Sequence, residues 1–150
     1  MTVSIETAAT CNLNRLSEIE KECFQSEAFT KQQIASLLTD YNSISLVATE
    51  KNQIVGFIIG SICFERSSLT GHILTIDVLP AHRRKGTGTR LISEMERLFR
   101  EKSVEACRLE VREDNLPALK LYRKFRYDEI SKLRNYYGSA HGIYLRKVLT

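Results

Sequence analysis

Apolar positions along the chain recur at either helical or strand spacing, and the switches between the two mark its elements. Val3 to Ala8 is short and β-capable. From Asn12 to Phe24, Leu13, Leu16, Ile19 and Cys23 follow a helical stripe. Thr30 reads as the N-cap of a second helix whose stripe is Ile34, Leu37, Leu38 and Tyr41. Ser45–Thr49 and Ile54–Phe64 are β-rich runs joined by the turn-like Glu50–Gln53, a hairpin pattern. A third strand is expected from His72 to Leu79, stopped by Pro80. The clearest helix follows, with Leu91, Ile92, Met95, Leu98 and Phe99 on one side and Glu94, Glu96, Arg97 and Arg100 on the other.

The second half of the chain continues the alternation. Ala106–Arg112 places Cys107, Leu109 and Val111 on one face of a strand and Arg108, Glu110 and Arg112 on the other. Asn115 can cap a helix running to about Phe125, with Pro117 tolerated in its first turn. Two last strands, about Tyr127–Leu133 and Ile143–Leu149, flank a turn-rich Asn135–Gly142. The predicted order is β-αα-βββ-α-β-α-ββ, an α/β or α+β sheet with helices packed on it.

Composition narrows the setting without naming a function. A length of 150 residues suits one domain, expected to span residues 1–150, and 43% hydrophobic content supplies an ordinary core. The net charge of +4 is too mild for a nucleic-acid arm, and no apolar run is long enough to cross a membrane. Cys11, Cys23, Cys63 and Cys107 contain no Cys-x-x-Cys pair, and residues 1–10 have neither the basic start nor the apolar run of a signal peptide. Reduced, mostly buried thiols in a cytoplasmic protein are therefore expected. His72, His82 and His141 are too scattered to argue for a metal, and His82 is expected to sit exposed in its loop.

The positive charge is concentrated in one place. No acid lies between Asp77 and Glu94, while Arg83, Arg84, Lys85 and Arg90 crowd the start of the third helix. A helix N-terminus is already electropositive, so cations there are unfavourable until a polyanion docks. Gly86 and Gly88 leave the backbone open to close approach, so its N–H groups can cradle phosphate. Neither the P-loop nor the dinucleotide-binding pattern is present. An ordinary basic turn is the plain alternative.

Arg83-Arg84-Lys85-Gly86-Thr87-Gly88, preceded by Ile76-Asp77-Val78 and followed by Thr89 and Leu91, resembles the R/Q-x-x-G-x-G/A motif of the GCN5-related N-acetyltransferases. A second block, Leu109-Glu110-Val111-Arg112 with Asn115, Ala118 and Leu121-Tyr122, is similar to the L-E-V-R-x-x-N-x-x-A-x-x-L-Y run of their peptide N-terminal branch, which includes the ribosomal-protein alanine acetyltransferases. Arg134-Asn135-Tyr136-Tyr137 matches the R-x-Y-Y element that follows. The resemblance is strongest over residues 72 to 147. It implies the fold of that family (GNAT), a mixed, mostly antiparallel sheet of six to seven strands with about four helices. It also implies acetyl-CoA as cosubstrate, bound by Ile76 to Val78, Arg83 to Thr89, Asn115 and Tyr122, with no metal. Two departures stand out. Arg126-Tyr127 occupies the place of the usual Gly-Phe, which puts a non-glycine residue at a turn that favours positive φ, and Ser139–Tyr144 lacks the usual acid and Met.

Acetyl transfer to an amine needs a neutral nucleophile, a polarised thioester carbonyl and a proton for the leaving sulfur. A protein α-amine has a pKa of about 7.7–8.0 against about 10.4 for lysine, so a modest base suffices. Glu110 is the candidate base; the plain alternative is a surface partner for Arg108 or Arg112. The resemblance implies that the Tyr122 hydroxyl is the acid, against the alternative of a core aromatic. A backbone N–H near Val78, at a bulge that splays the central strands, would polarise the carbonyl. Phe24, Phe29, Tyr136 and Tyr137 are candidates for lining the acceptor groove, and His141 lies in the same loop region. The expected partner is a protein N-terminus, ribosomal proteins among them, with no direct nucleic acid or membrane contact and a monomer or weak homodimer as the acting species. A lysine, polyamine or amino-sugar acceptor, an idle acyl-CoA-binding domain and a nucleic-acid module using residues 82–85 are the competing readings.

Overall fold

A computed structural model describes residues 3–150. The chain runs β1 (Ser4–Thr7), a 3-10 turn (Thr10–Asn12), α1 (Leu13–Cys23), α2 (Lys31–Thr39), β2 (Ser43–Glu50), β3 (Gln53–Glu65) and β4 (Ser68–Val78). A second 3-10 turn (Pro80–His82) leads into α3 (Thr87–Glu101), β5 (Ala106–Arg112), α4 (Leu116–Lys124), β6 (Asp128–Leu133) and β7 (Gly142–Val148). The element order is the expected one. The strands form a seven-stranded sheet ordered β1-β2-β3-β4-β5-β7-β6. Every neighbouring pair is antiparallel except β4–β5.

Local chemistry accounts for most boundaries. Thr30 Oγ1 accepts from the Gln33 N–H at 3.1 Å, and Gln33 Oε1 accepts from the Thr30 N–H at 2.8 Å, a reciprocal cap that starts α2. The helix ends at Thr39, so Tyr41 falls outside the stripe the spacing assigns it and stands 98% exposed. The β2–β3 hairpin turns on Lys51 and Asn52, both at positive φ, the pattern of a two-residue I′ turn. A second such turn, at Arg66 and Ser67, lets β4 begin at Ser68 rather than His72. Arg-Ser carries no Gly, Asn or Asp to announce it.

The sheet divides the core in two. Leu91, Ile92, Met95 and Phe99 of α3, with Tyr122 of α4, pack on Ile58, Ile73, Leu109 and Leu145. On the opposite face, Leu16 and Ile19 of α1 and Ile34 of α2 cover Val47, Phe57 and Ile59. Glu96 is buried in the larger core, where it accepts from the Tyr127 hydroxyl and from Lys147 Nζ, each at 2.8 Å. All four cysteines are free, but only Cys107 is buried; Cys23 and Cys63 are half-buried and Cys11 is exposed, against the expectation of mostly buried thiols. No helix among the described residues is long and apolar enough to cross a membrane.

The parallel pair is the feature that makes a site. β4 and β5 pair only at Thr70–His72 against Ala106–Arg108, and beyond that they diverge. A V-shaped gap opens between Ile73–Val78 and Leu109–Arg112. The bulge in β4 lies at Leu74, skipped between the Ile59–Thr75 and Gly60–Ile73 pairs, and not at Val78 as the sequence suggests.

Candidate active site

One arm of the gap ends at the head of α3. Gly86 is its N-cap with φ of 83°, a left-handed conformation that costs glycine little. A Cβ there would meet nothing within 4 Å, so the requirement is conformational rather than spatial. At Gly88 the reason is packing, because a Cβ would lie 3.3 Å from Leu121 Cδ2 of α4. The first helical bond runs from the Arg90 N–H to the Gly86 carbonyl at 3.0 Å. The N–H groups of Thr87, Gly88 and Thr89 thus have no acceptor inside the helix, and its first turn holds no acid. This is a ready anion cradle.

The cations around it lie differently from the simple expectation. Arg83 Nε donates to the Val78 carbonyl at 2.8 Å, and its Nη2 lies 3.7 Å from Cys23 Sγ. Arg90 donates to the Val3 carbonyl. Lys85 Nζ stands 4.0 Å from Glu50 Oε1, a carboxylate supplied by the end of β2. His82 is not an exposed loop residue: its ring is half-buried, with Nδ1 at 3.4 Å from Glu50 Oε2. Arg84 is exposed and carries a positive φ of 63°. Backbone N–H groups and the helix dipole therefore dominate the cradle, with the long cations partly tied to protein acceptors.

Val78 sits where the cradle meets the gap. The Leu79 N–H goes to Val55 on the β3 side, so strand alternation turns the Val78 N–H the other way, into the gap. Beneath it, the Thr75 hydroxyl lies 2.9 Å from Glu20 Oε1 and 2.7 Å from Asp77 Oδ1. One hydroxyl hydrogen cannot satisfy two carboxylates, so the trio is complete only when one carboxyl holds a proton. Burial, and then the negative charge of Glu20, push the Asp77 pKa well up. Its side chain is thus turned under α1, while Ile76 and Val78 pack toward α3. Glu20 Oε2 also accepts from the Phe29 N–H at 3.0 Å, which fastens the α1–α2 connection to β4.

The root of the gap holds an arrangement that sequence separation hides. His72 Nε2 lies 2.7 Å from Glu110 Oε1. The residues are 38 apart, and it is the His72–Arg108 register of the parallel pair that brings them together. Burial works to raise the Glu110 pKa, but the His72 hydrogen bond and the His72 and Arg108 charges outweigh it, and the net shift is downward. Glu110 is on the strand face away from Cys107, as the alternation predicts. Arg108 Nη1 does pair with it, at 3.2 Å, so the surface-partner alternative describes one of its two contacts.

Two loops flank this face. Glu27, from the α1–α2 connection, pairs with Arg112 at 3.6 Å, and the Arg112 guanidinium sits 5.9 Å from the Tyr137 ring centroid. Tyr136 and Tyr137 meet edge to face at 4.9 Å, Tyr136 being 53% exposed. Phe29 packs on the α1–α2 core, whereas Phe24 is half-buried at the end of α1. His141 Nδ1 accepts from the Asn135 N–H at 2.9 Å, so that nitrogen is committed to closing the β6–β7 loop. On the far arm, Asn115 Oδ1 caps α4 through the Ala118 N–H at 3.2 Å. Tyr122 is buried 5.5 Å from the Tyr127 ring, and burial pushes its pKa far above the usual phenol value. Its hydroxyl therefore stays protonated across the ordinary pH range.

Known proteins resemble this chain in sequence and in fold. The sequence profile described as Acetyltransferase (GNAT) family fits residues 13–127. The chain belongs to the acetyltransferase (GNAT) family. It is 34% identical over 117 residues to an N-alpha-acetyltransferase of Sulfurisphaera tokodaii, covering 72% of this chain and 70% of that protein. It is 30% identical over 134 residues to the [ribosomal protein bS18]-alanine N-acetyltransferase of Haemophilus influenzae, covering 88% and 86%. The crystal structure of Ard1 from Thermoplasma volcanium superposes with a TM-score of 0.89 at 27% identity, over 100% of this chain and 99% of that one. As a GNAT acetyltransferase the chain uses acetyl-CoA as cosubstrate. The cradle at α3 and the open gap beside Val78 fit its pyrophosphate and its acyl arm.

Proposed function

We propose that residues 1–150 act as one acetyltransferase domain that moves the acetyl group of acetyl-CoA to the N-terminal α-amine of a protein in the cytoplasm, ribosomal proteins being candidate acceptors. The acting species is a monomer or weak homodimer. The observation that carries this reading is the His72–Glu110 contact at the root of the gap, opening onto the uncovered face of β5. A carboxylate-oriented imidazole is a base matched to an α-amine, which loses its proton about 2–3 pH units below a lysine.

Acetyl-CoA supplies an activated acyl carbonyl. The N–H groups of Thr87 to Thr89 hold its pyrophosphate with Arg84 and Lys85, and the Ile76–Val78 edge lines the acyl arm with Asn115 at the head of α4. The His72–Glu110 pair takes the proton that the amine loses as its nitrogen bonds to the acyl carbon, with His72 Nδ1 the ring nitrogen turned away from Glu110. The Val78 N–H, aimed into the gap, holds the oxygen on which negative charge develops. Tyr122, kept protonated by burial, returns a proton to the departing sulfur. Phe24 and Phe29 on one side and Tyr136 and Tyr137 on the other frame the acceptor.

A matched pair of peptides tests the reading, identical in sequence but one with a blocked N-terminus. Incubated with the protein and acetyl-CoA and followed by mass spectrometry, only the free peptide gains one acetyl group, at its α-amine. Equal acetylation of the blocked peptide on lysine would sink the proposal and favour the lysine alternative.

A further inference from the structure

Along the face of β5 that no helix covers, Arg108 makes contacts of unusual definition for a surface cation. Its Nη2 and Nε donate to Glu65 Oε2 and Oε1 at 2.9 and 3.3 Å, guanidinium fork against carboxylate fork. Its remaining arm, Nη1, donates to Glu110 Oε2 at 3.2 Å. Glu110 Oε1 is taken by His72, so each Glu110 oxygen has a named partner and the plane of its carboxylate is fixed. Arg108 and Glu110 are largely enclosed, with side chains 21% and 15% exposed, while Glu65 at 38% forms the wetter end of the chain of contacts. The contact spans β3 to β5 across β4, at the height where β4 and β5 are still paired and just before they part.

We propose that Arg108, anchored by Glu65, is a positioning residue for acetyl transfer that aims the Glu110 carboxylate at His72 and supplies its counter-charge. This rests on the reading of the His72–Glu110 pair as the base. Glu110 is faced by His72 from β4, Arg108 and Arg112 from its own strand, Glu65 from β3, Tyr144 opposite it on β7, and Tyr136 and Tyr137 from the β6–β7 loop, with Glu27 beyond Tyr137. Among these, Arg108 is the permanent cation in direct contact with it. A half-buried carboxylate without that cation would hold a proton to higher pH, and a protonated Glu110 can no longer accept from the ring or stabilise it once charged. Lysine cannot substitute fully, because one ammonium does not present a planar fork to Glu65 and a third donor to Glu110.

The test is a carbon NMR titration of the Glu110 carboxyl, run beside pH profiles of kcat/KM for the peptide, in the full chain and in Arg108→Gln and Arg108→Lys. In Arg108→Gln the Glu110 midpoint rises by about 1 pH unit or more, the acidic limb of kcat/KM moves up with it, and KM for acetyl-CoA is unchanged. Arg108→Lys, which keeps the charge without the fork, shows a smaller shift than Arg108→Gln; if the Gln variant fails to fold, the Lys variant carries the test with the same readouts. A folded variant whose Glu110 midpoint and acidic limb coincide with those of the parent overturns the proposal. Glu110→Gln separates the two claims: full turnover there removes the base reading and the positioning role with it, whereas lost turnover there beside an unmoved Glu110 midpoint in Arg108→Gln removes the positioning role alone.

Discussion

The loop ahead of α3 takes its parts from one run of chain, Arg83 to Thr89, whereas the groove along β5 draws on β3, β4, β5 and two loops far apart in sequence. The first works through backbone: a left-handed Gly86, a Gly88 close to Leu121 and helix N–H groups without acceptors. The second works through side chains whose meeting depends on strand register, with His72 reaching Glu110 and Arg108 reaching Glu65. A backbone cradle tolerates wide variation in the side chains around it. A side-chain groove is specific, and a change in one member is felt by the others. The loop should therefore set cosubstrate affinity, and the groove should set turnover and acceptor choice.

The largest expected break of that contrast is His72→Gln. Turnover should fall roughly 10²- to 10⁴-fold with coenzyme A affinity intact, because a general base is lost and the cradle is untouched. Steady-state kinetics beside calorimetric titration of coenzyme A measure both; weakened coenzyme A binding would mean that the two regions are not separable. The converse change is Gly88→Val, which forces methyl groups toward Leu121 and pushes α4 off α3. It should cost about 1–3 kcal/mol in thermal or urea unfolding and raise KM for acetyl-CoA. An unchanged KM would show that the α3–α4 contact does not shape the cradle.

A subtler probe lies beneath both regions. Asp77 has its pKa raised in the folded state, so its contribution to stability is full below about 3.8, the unfolded value, and is lost as pH rises through the folded value. Asp77→Asn removes that dependence, since an amide can donate to Glu20 or Thr75 without carrying charge. Its melting temperature should gain on the parent progressively from pH 4 to 8. Parallel curves would mean the buried trio holds no extra proton. The smallest effect is expected at Arg126, which adopts φ of 68° after α4. Arg126→Gly should stabilise by about 0.5–1 kcal/mol through relief of the left-handed penalty, with kinetics unaltered.

The same contrast explains what the sequence made legible. Periodicity, with the Thr30 and Asn115 caps, marks the four α-helices of the described residues, and the Arg83–Gly88 run and the Leu109–Tyr122 block stand out because each is contiguous. The start of β4 is hidden because Arg66 and Ser67 turn the chain at positive φ without a Gly, Asn or Asp. Tyr41 continues the stripe of α2 yet lies beyond its end, because a helical stripe does not say where the helix stops. Glu50, which faces His82 and Lys85, lies more than thirty positions before them, and Glu20 lies 55 before Thr75. His72 and Glu65 stand in no motif, and Arg108 shows in the sequence only as a member of the polar face of its strand. Their roles come from one short stretch of parallel pairing, Thr70–His72 with Ala106–Arg108, whose register no spacing within either strand encodes.

The most direct measurement is coenzyme A titration and peptide turnover on one preparation of Glu110→Gln. Binding indistinguishable from the parent together with a roughly 10²-fold or greater loss of kcat is the predicted result. Parental turnover in that variant would contradict the account, because the chemistry would then lie elsewhere than at the root of the β4–β5 gap.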